Sequence, residues 1–515
     1  MKKFLLVVGA ATAVLGALLG GRLWAQGQEK KLTPLEAYEL FQKVVTDVQV
    51  QYYRKLETPE LIKDAIGGML DALDPYSEYM EEEQATELQI RTSGEFGGIG
   101  IHIGTQEGQL TVMQVIEGTP AFRQGLLTGD RFIEIEGKTT QGMTVQDAVN
   151  TLRGTPGTQV TVAMQREGVS DLIRRTITRE VIKIKAVPYA GKLDDDIGYV
   201  RLADFSASAR RELDAALDSL FHKVGVKKLI FDLRMNGGGL LAEGHEVSEL
   251  FLPVGDTVVT TAGQTPGSKR AFIAGNNSAY SSVPLVLLVD RSSASAAEIV
   301  AGALQDWERA VIVGETTFGK GTVQTPIPMR DNAKLKLTTA LWRTPSGRCV
   351  DVRVKRDSAS RGDSIFHTLG KNHRMIRAWT GVVPELVVLY PRLTAFELKI
   401  KPDWYFEFAN KYATKHPDLK PDFQVSPEMF AEFQTLLKSK KFEFTQAQVD
   451  SARDVIERGI VQNIANRVWG TAVEYERRLP RDNQVAKAIE LLSPAKTEQD
   501  VFDALPRPVE PKKDK

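Results

Sequence analysis

One cysteine, Cys349, stands in 515 residues. That scarcity excludes an internal disulfide and any cysteine-built zinc cluster, and leaves the thiol as a small packed residue. Charge of neither sign prevails, since 66 Lys and Arg face 66 Asp and Glu. The chain as a whole therefore offers no electrostatic footprint for DNA or RNA, and no nucleic-acid partner is expected. Histidine is scarce too, at six: His102, His222, His245, His367, His373 and His416. None sits in a triad context and no H-E-x-x-H occurs, so histidine-based acyl transfer and zinc proteolysis lack their residues. No metal and no cofactor is expected.

What is present concentrates between Asp290 and Gln324, DRSSASAAEIVAGALQDWERAVIVGETTFGKGTVQ. The apolar run from Pro284 to Asp290 predicts a buried strand, Ala296 to Trp307 a helix, and Ala310 to Val313 a second strand. A serine before a helix is ordinarily an N-cap. The same junction also gathers unpaired backbone N–H groups at the positive end of the helix dipole, which suits a developing oxyanion. Lys320 is boxed between Gly319 and Gly321 with Phe318 and Val323 nearby, an odd setting for a solvated lysine. Gln324 lies four residues on, so in an extended segment of period two it shares a side with Lys320.

The strings SASAAEI (Ser293 to Ile299) and GETTFGKGTVQ (Gly314 to Gln324) resemble the C-terminal processing, or tail-specific, peptidases, which are serine proteases with a Ser-Lys dyad. The resemblance implies Ser295 as nucleophile, Lys320 as general base and Gln324 as the group that orients the lysine; Ser292 and Ser293 are the neighbours most easily confused with the nucleophile. A lysine acting as base near pH 7 must have its pKa lowered by about three units, roughly 4 kcal/mol, which burial in an apolar wall can supply. Further upstream, DLRMNGGG (Asp232 to Gly239) resembles the family's D-L-R-x-N-P-G-G, with Gly237 in place of the proline. There the resemblance implies an oxyanion hole made by the N–H groups of Gly238 and Ala296. A nucleotide-phosphate loop is the weaker reading of these glycines, because no G-K-[ST] follows them.

From Gly94 the texture becomes short β runs broken by Gly and Asp turns. The stretch GTPAFRQGLLTGDR (Gly118 to Arg131), with IEIEG behind it, resembles a PDZ domain. That implies a loop, Phe96, Gly97, Gly98 and Ile99, whose N–H groups receive a peptide's terminal carboxylate while the peptide adds as a strand. Ile99, Ile101, Val145, Val149 and Leu152 would line the pocket for its last side chain, although about half of them are expected to fill the small core instead. Arg153 follows the predicted helix Val145 to Leu152, where an arginine ordinarily balances the dipole. The stretch Leu152-Arg153-Gly154 also resembles the L-R-G of some relatives, in which the arginine looks like the contact by which a peptide-loaded PDZ domain engages the protease core, so Arg153 carries a regulatory expectation.

The expected architecture is a mixed α/β multidomain chain, an α/β protease core with an inserted β-rich PDZ domain and helical N- and C-terminal segments. Residues 1–25 form a signal peptide or membrane anchor, 34–90 a helical region, 94–183 the PDZ domain, 187–390 the core, 393–505 a helical extension and 506–515 a disordered tail. Two lysines before the apolar run Phe4 to Leu19 predict export to the periplasm or cell envelope, and both a cleaved signal and a retained anchor fit. Ser208 to Val224 reads as an amphipathic helix, Val226 to Leu233 and Leu335 to Leu341 as strands, Gly347 to Arg353 as another strand, and Arg356 to Arg377 as a polar insertion. Expected partners are protein or peptide substrates with free C-termini, an adaptor protein, and a second copy of the chain through the N-terminal helices or the C-terminal extension. The function implied is an exported serine endopeptidase cleaving near protein C-termini. Two alternatives stand beside it: a non-catalytic PDZ peptide-binding scaffold, and a protease silent until an adaptor or peptide engages it.

Overall fold

The computed structural model describes residues 32–505, apart from 277, 354–364 and 379. The N-terminal apolar run, the last ten residues and the first part of the polar insertion lie outside the described residues. Among the described residues no helix is long and apolar enough to cross a membrane. The chain divides into two units, residues 1–79 and 80–515.

In the first unit, Pro34–Gln51 is a helix opened by a capping box between Thr33 and Glu36. None of its residues is buried, and Leu35, Tyr38 and Phe41 are more than half or half exposed (68%, 74% and 50%). The next helix, Thr58–Asp71, stops ahead of Asp74-Pro75, where the Asp74 side chain accepts from the Tyr76 and Ser77 N–H groups.

The second unit opens its β-rich part with Glu95–Gly98, which pairs with Glu180–Lys183. A sheet follows whose path runs Ile101–Gln106 (β1), Gln109–Val115, Arg131–Ile135, Gln159–Gln165, Ile173–Thr178. The helix Val145–Leu152 (α1) packs over a core that includes Val112, Phe132, Ile135, Val162 and Ile177. β1 is an edge strand, so one of its ladders is open to a further strand.

The larger α/β part is a six-stranded sheet: Tyr189–Asp194 (β2), Ile197–Arg201 (β3), Lys228–Asp232 (β4), Leu285–Val289 (β5), Val311–Gly314 (β6) and Leu386–Val387 (β7), in that order. All neighbours are parallel except β2 with β3. Both faces are covered, which is why β4 and β5 read as continuous apolar runs rather than alternating ones. On one face lie the helices Ala209–Asp218 (α2), Leu241–Glu249 (α3) and Ala296–Asp306 (α4).

The other face is covered from the far end of the sequence. Tyr475, Leu479, Val485, Leu491, Leu492 and Phe502 share one core with Tyr199, Ile230, Val286 and Val313 of the sheet. The segment expected as a helical extension, 393–505, holds two cores: the part around Ile400 to Ile464 has its own aromatic-rich core with Phe408 and Phe433, whereas its last helices cover the core sheet. Two local expectations also change. Ser208 to Val224 is an α-helix only through Asp218 and then widens into a π-helical turn, Ser219–Val224, closed by Gly225 at φ 82°. Gly347 to Arg353 forms no strand; Thr344 and Arg348 close a turn through Gly347 at φ 87°. The described end of the polar insertion is a short hairpin, Ile365–His367 with Met375–Arg377.

Candidate active site

Strand β5 is followed by Asp290, whose carboxylate accepts from the N–H groups of Ser292, Ser293 and Met235. One side chain thereby joins the turn before α4 to the glycine loop after β4. The Ser293 hydroxyl is spent on structure, donating to the Leu233 carbonyl while it accepts from the Asp290 N–H. Ser295 is different. It sits at φ 55°, ψ −114°, a region that a non-glycine residue occupies at a cost of about 1–3 kcal/mol and that persists only when the surroundings hold it.

What holds it is Glu298, the third residue of α4. Its buried carboxylate accepts from the Ser295 N–H (2.9 Å) and the Lys320 N–H (2.8 Å) on one oxygen, and from Gly319 N–H (2.7 Å) and the Thr317 hydroxyl (2.5 Å) on the other. Nucleophile and base candidates, 25 positions apart in sequence, are therefore tied through their backbones to a single anion. Burial pushes the Glu298 carboxyl up, and these four donors oppose the shift. The sequence offered a signal for this residue, since S-x-x-E before an apolar helix is a capping box, but nothing in that pattern says that the carboxylate also reaches a loop twenty residues on.

Burial lowers the Lys320 amine from its ordinary value, and the positive charges of Lys336 and Arg353 push the same way, against Glu298 and Asp351. Gly319 (φ 84°) and Gly321 flank it for a steric reason: a Cβ at Gly319 would stand 2.6 Å from the Val352 side chain, and one at Gly321 2.8 Å from Asp351. Gln324 and Lys320 do not share one regular strand. Lys320 precedes the strand Thr322–Pro328, and that strand has a register shift between Val323 and Gln324. The Gln324 amide donates to the hydroxyls of Thr322 and Thr338.

The glycine loop lies against the nucleophile turn. Ala294 N–H donates to the Asn236 carbonyl, and a Cβ on Gly238 (φ 91°) would meet Ala294 O at 2.6 Å, Ser295 Cβ at 2.8 Å and Ala296 N at 2.9 Å. Of the two expected oxyanion donors, Ala296 N–H makes no hydrogen bond among the described residues, while Gly238 N–H donates to Asn236 Oδ1 at 2.8 Å. The second donor is engaged in this conformation.

In the β-rich domain, Ile99 and Leu152 are 2% and 4% exposed and belong to the core, while Ile101 and Val145 are half-buried at its border and Val149 is partly exposed. Phe96, Gly97 and Gly98 are paired with Ile182, Val181 and Glu180, so most of the expected loop is ladder. Gly97 is needed there because a Cβ would fall 2.2 Å from the Gly154 carbonyl. Arg153 pairs with Glu87 and lies over the Phe96 ring, 5.1 Å from its centroid.

Against known proteins, a model of peptidase family S41 matches residues 196–360 and a PDZ-domain model residues 111–166. A model described as the C-terminal helical domain of a probable PDZ-protease matches 395–449, and one for the N-terminal domain of the activating protease CtpB matches 22–84. The chain is 41% identical over 342 residues to a carboxy-terminal-processing protease of Bartonella bacilliformis, covering 64% of this chain and 78% of that one. It is 35% identical over 346 residues to the carboxy-terminal processing protease CtpA of Bacillus subtilis, covering 67% and 73%. Among solved structures, the photosystem II D1 C-terminal processing protease matches at 28% identity with a TM-score of 0.37, covering 67% of this chain and 86% of that one.

Proposed function

Because the chain belongs to the carboxy-terminal processing proteases of peptidase family S41, we propose that Ser295 and Lys320 are its nucleophile and general base, acting on proteins close to their C-termini. The protein is a serine-type peptidase with a PDZ domain that takes peptide or protein substrates. The observation that carries the assignment of the dyad is the shared Glu298 carboxylate, which fixes the backbone of both residues at 2.8–2.9 Å.

The neutral Lys320 amine takes the Ser295 hydroxyl proton as the oxygen attacks the scissile carbonyl carbon. The carbonyl oxygen becomes the oxyanion and receives the Ala296 N–H at the head of α4. A second hydrogen bond comes from Gly238 once its N–H exchanges the Asn236 acceptor for the oxyanion. Lys320 then returns the proton to the leaving amine, the C–N bond breaks, and an acyl-Ser295 ester remains. Water, deprotonated by Lys320, releases the acid and restores the serine. Gln324 fixes the strand that begins beside Lys320 through its bonds to Thr322 and Thr338.

The substrate terminus is read by the PDZ domain, with the chain adding to the open edge of β1 and its last side chain against Ile101, Val145 and Val149. A terminal carboxylate at the Phe96–Ile99 segment arrives next to Arg153 and competes for it with Glu87, which gives Arg153 its regulatory role and leaves room for an adaptor. The basic start and apolar run of residues 1–25 support export to the periplasm or cell envelope. Self-association through the N-terminal helices is supported by the exposed Leu35, Tyr38 and Phe41. The test is incubation of an unstructured protein with the chain and with Ser295→Ala and Lys320→Ala, followed by intact-mass analysis. Progressive loss of C-terminal mass with the unaltered chain only is expected; equal trimming by the variants overturns the dyad.

A further inference from the structure

The carboxyl edge of a parallel sheet is where α/β proteins bind ligands, and here that edge carries a cavity. It encloses about 240 Å³, and its lining includes Arg201, Arg234, Arg458, Arg478 and Arg481 with a single carboxylate, Asp482. Arg201 ends β3, Arg234 follows β4, Arg478 and Arg481 come from the last helices, which cover this face of the sheet, and Arg458 comes from the helix Arg453–Trp469 of the neighbouring aromatic-rich core.

The five guanidiniums are unequally satisfied. Arg234 is saturated by Asp232, Asp482, the Tyr390 hydroxyl and Gln484. Arg458 pairs with Asp454 at 2.9 Å. The remaining three reach carboxylates only at longer range, Arg201 to Asp232 at 3.6 Å, Arg478 to Glu474 at 3.6 Å and Arg481 to Asp454 at 4.0 Å. Each guanidinium has five donors and no acceptor, so Arg201, Arg478 and Arg481, whose carboxylates stand at 3.6–4.0 Å, keep donors that no close carboxylate fills. Such a set is completed by an oxyanion, and the planar fork of arginine matches a carboxylate two bonds at a time.

The position of the cavity says where that carboxylate comes from. Met235 lines it, and the next three residues form the loop packed against Ser295. The segment 387–391 also borders a cavity of about 490 Å³, lined by Val387, Leu389 and Phe318, the last of which is two residues from the dyad lysine. A polypeptide that passes Phe318 meets Leu389, and the next residue of the chain, Tyr390, lines the arginine cavity. We propose that the arginine cavity is a specificity subsite that binds a carboxylate of the polypeptide substrate, an acidic side chain or the chain terminus, beside the oxyanion loop. This assignment rests on the proteolytic reading of Ser295.

The test uses the full chain carrying Ser295→Ala, so that peptides bind without being cut, and isothermal calorimetry. In one series of blocked peptides, acetylated and amidated to remove the terminal carboxylate, a single Glu is moved along an otherwise neutral sequence; a second series carries Gln, and a third is neutral with a free C-terminus. One Glu position is expected to bind about tenfold tighter than its Gln counterpart, the size of one net charge-assisted hydrogen bond. Alternatively, only the free-acid series gains, which assigns the carboxylate to the chain terminus. In Arg478→Gln/Arg481→Gln that gain disappears, and in Arg481→Glu a Lys peptide is preferred instead, a reversal that misfolding does not produce. Equal binding of all three series, no measurable binding, or a preference that survives both variants overturns the subsite. Displacement by inorganic phosphate with no Glu, Gln or free-acid distinction reduces the cavity to a small-anion site and also overturns it. Hydrolysis of the neutral peptides by the chain with Ser295 intact is scored separately, so failure of proteolysis and failure of the subsite give different results.

Discussion

Glu298→Gln is the perturbation that tests how the site is held. The carboxylate accepts from four donors, two on each oxygen. An amide of the same shape can turn its oxygen to only one of these pairs and presents NH2 to the other. Two buried donors then lose their acceptor, at roughly 1–3 kcal/mol each, for a total of about 2–6 kcal/mol. The loss falls on a turn that already carries the strain of Ser295 at φ 55°, so part of it appears as misplacement of the nucleophile. If about 2 kcal/mol of it is felt in the transition state, kcat drops roughly 30-fold. Substitution also removes a negative charge that raises the Lys320 pKa, so the acidic limb of the pH profile moves to lower pH while kcat falls. Thermal melting reads the stability loss, and kcat with KM across pH reads the rest. A variant with unchanged melting and kcat would refute the claim that Glu298 positions the dyad. A normal kcat with only the acidic limb displaced would reduce its role to charge.

Replacing Lys320 with Met keeps an unbranched side chain of similar length but removes the base; peptide hydrolysis is expected to fall by at least about 100-fold, and retention of most activity would assign the base elsewhere. Because burial lowers the Lys320 pKa, the catalytically competent neutral amine forms below the ordinary lysine range of about 10.4, so kcat/KM should rise with pH through that lowered value and level off; a limb at the ordinary value would contradict a buried amine. The same linkage acts on stability: the folded state holds its proton less tightly than the unfolded one, so this lysine's contribution rises with pH between the lowered and the ordinary pKa and is absent in Lys320→Met, as urea midpoints across that window would report. Gly238→Ala forces a Cβ to within 2.6–2.9 Å of Ala294 and its neighbours at φ 91°, a strain of about 1–2 kcal/mol before the clash is counted; lowered melting with severe loss of kcat is expected, and a fully active variant would remove Gly238 from the oxyanion loop. Arg153→Ala, which frees Glu87 and the Phe96 ring, is expected to slow trimming of full-length protein more than hydrolysis of short blocked peptides, and equal effects on both would end the regulatory assignment.

The parts of the site that were legible in the sequence are those whose chemistry is local. Serine before an apolar helix, lysine between two glycines and three glycines after a buried strand are each patterns of a few residues, and the apolar runs of β4 and β5 betray a sheet covered on both sides. What was not legible depends on contacts that cross the chain. The period-two argument for Gln324 and Lys320 ran over residues that precede the strand and over a bulge at Val323, and a bulge leaves no mark in residue type. The helices from Tyr475 to Phe502 read as an extension because their amphipathic faces announce a partner without naming it; only the fold places them on the sheet, with Val485 and Leu491 against Ile230 and Val286. The same crossing brings Arg478 and Arg481 to the end of β3, some 280 positions from Arg201 in sequence, where three separated arginines become one cavity. Glu298 lies between these cases. Its capping pattern is local, but its function is the bond to Lys320 N–H, and that bond exists only because β6 returns the chain alongside β5, with Val289 opposite Gly314, and delivers the glycine turn to the head of α4. A motif scan therefore finds the reacting atoms more readily than the group that aligns them.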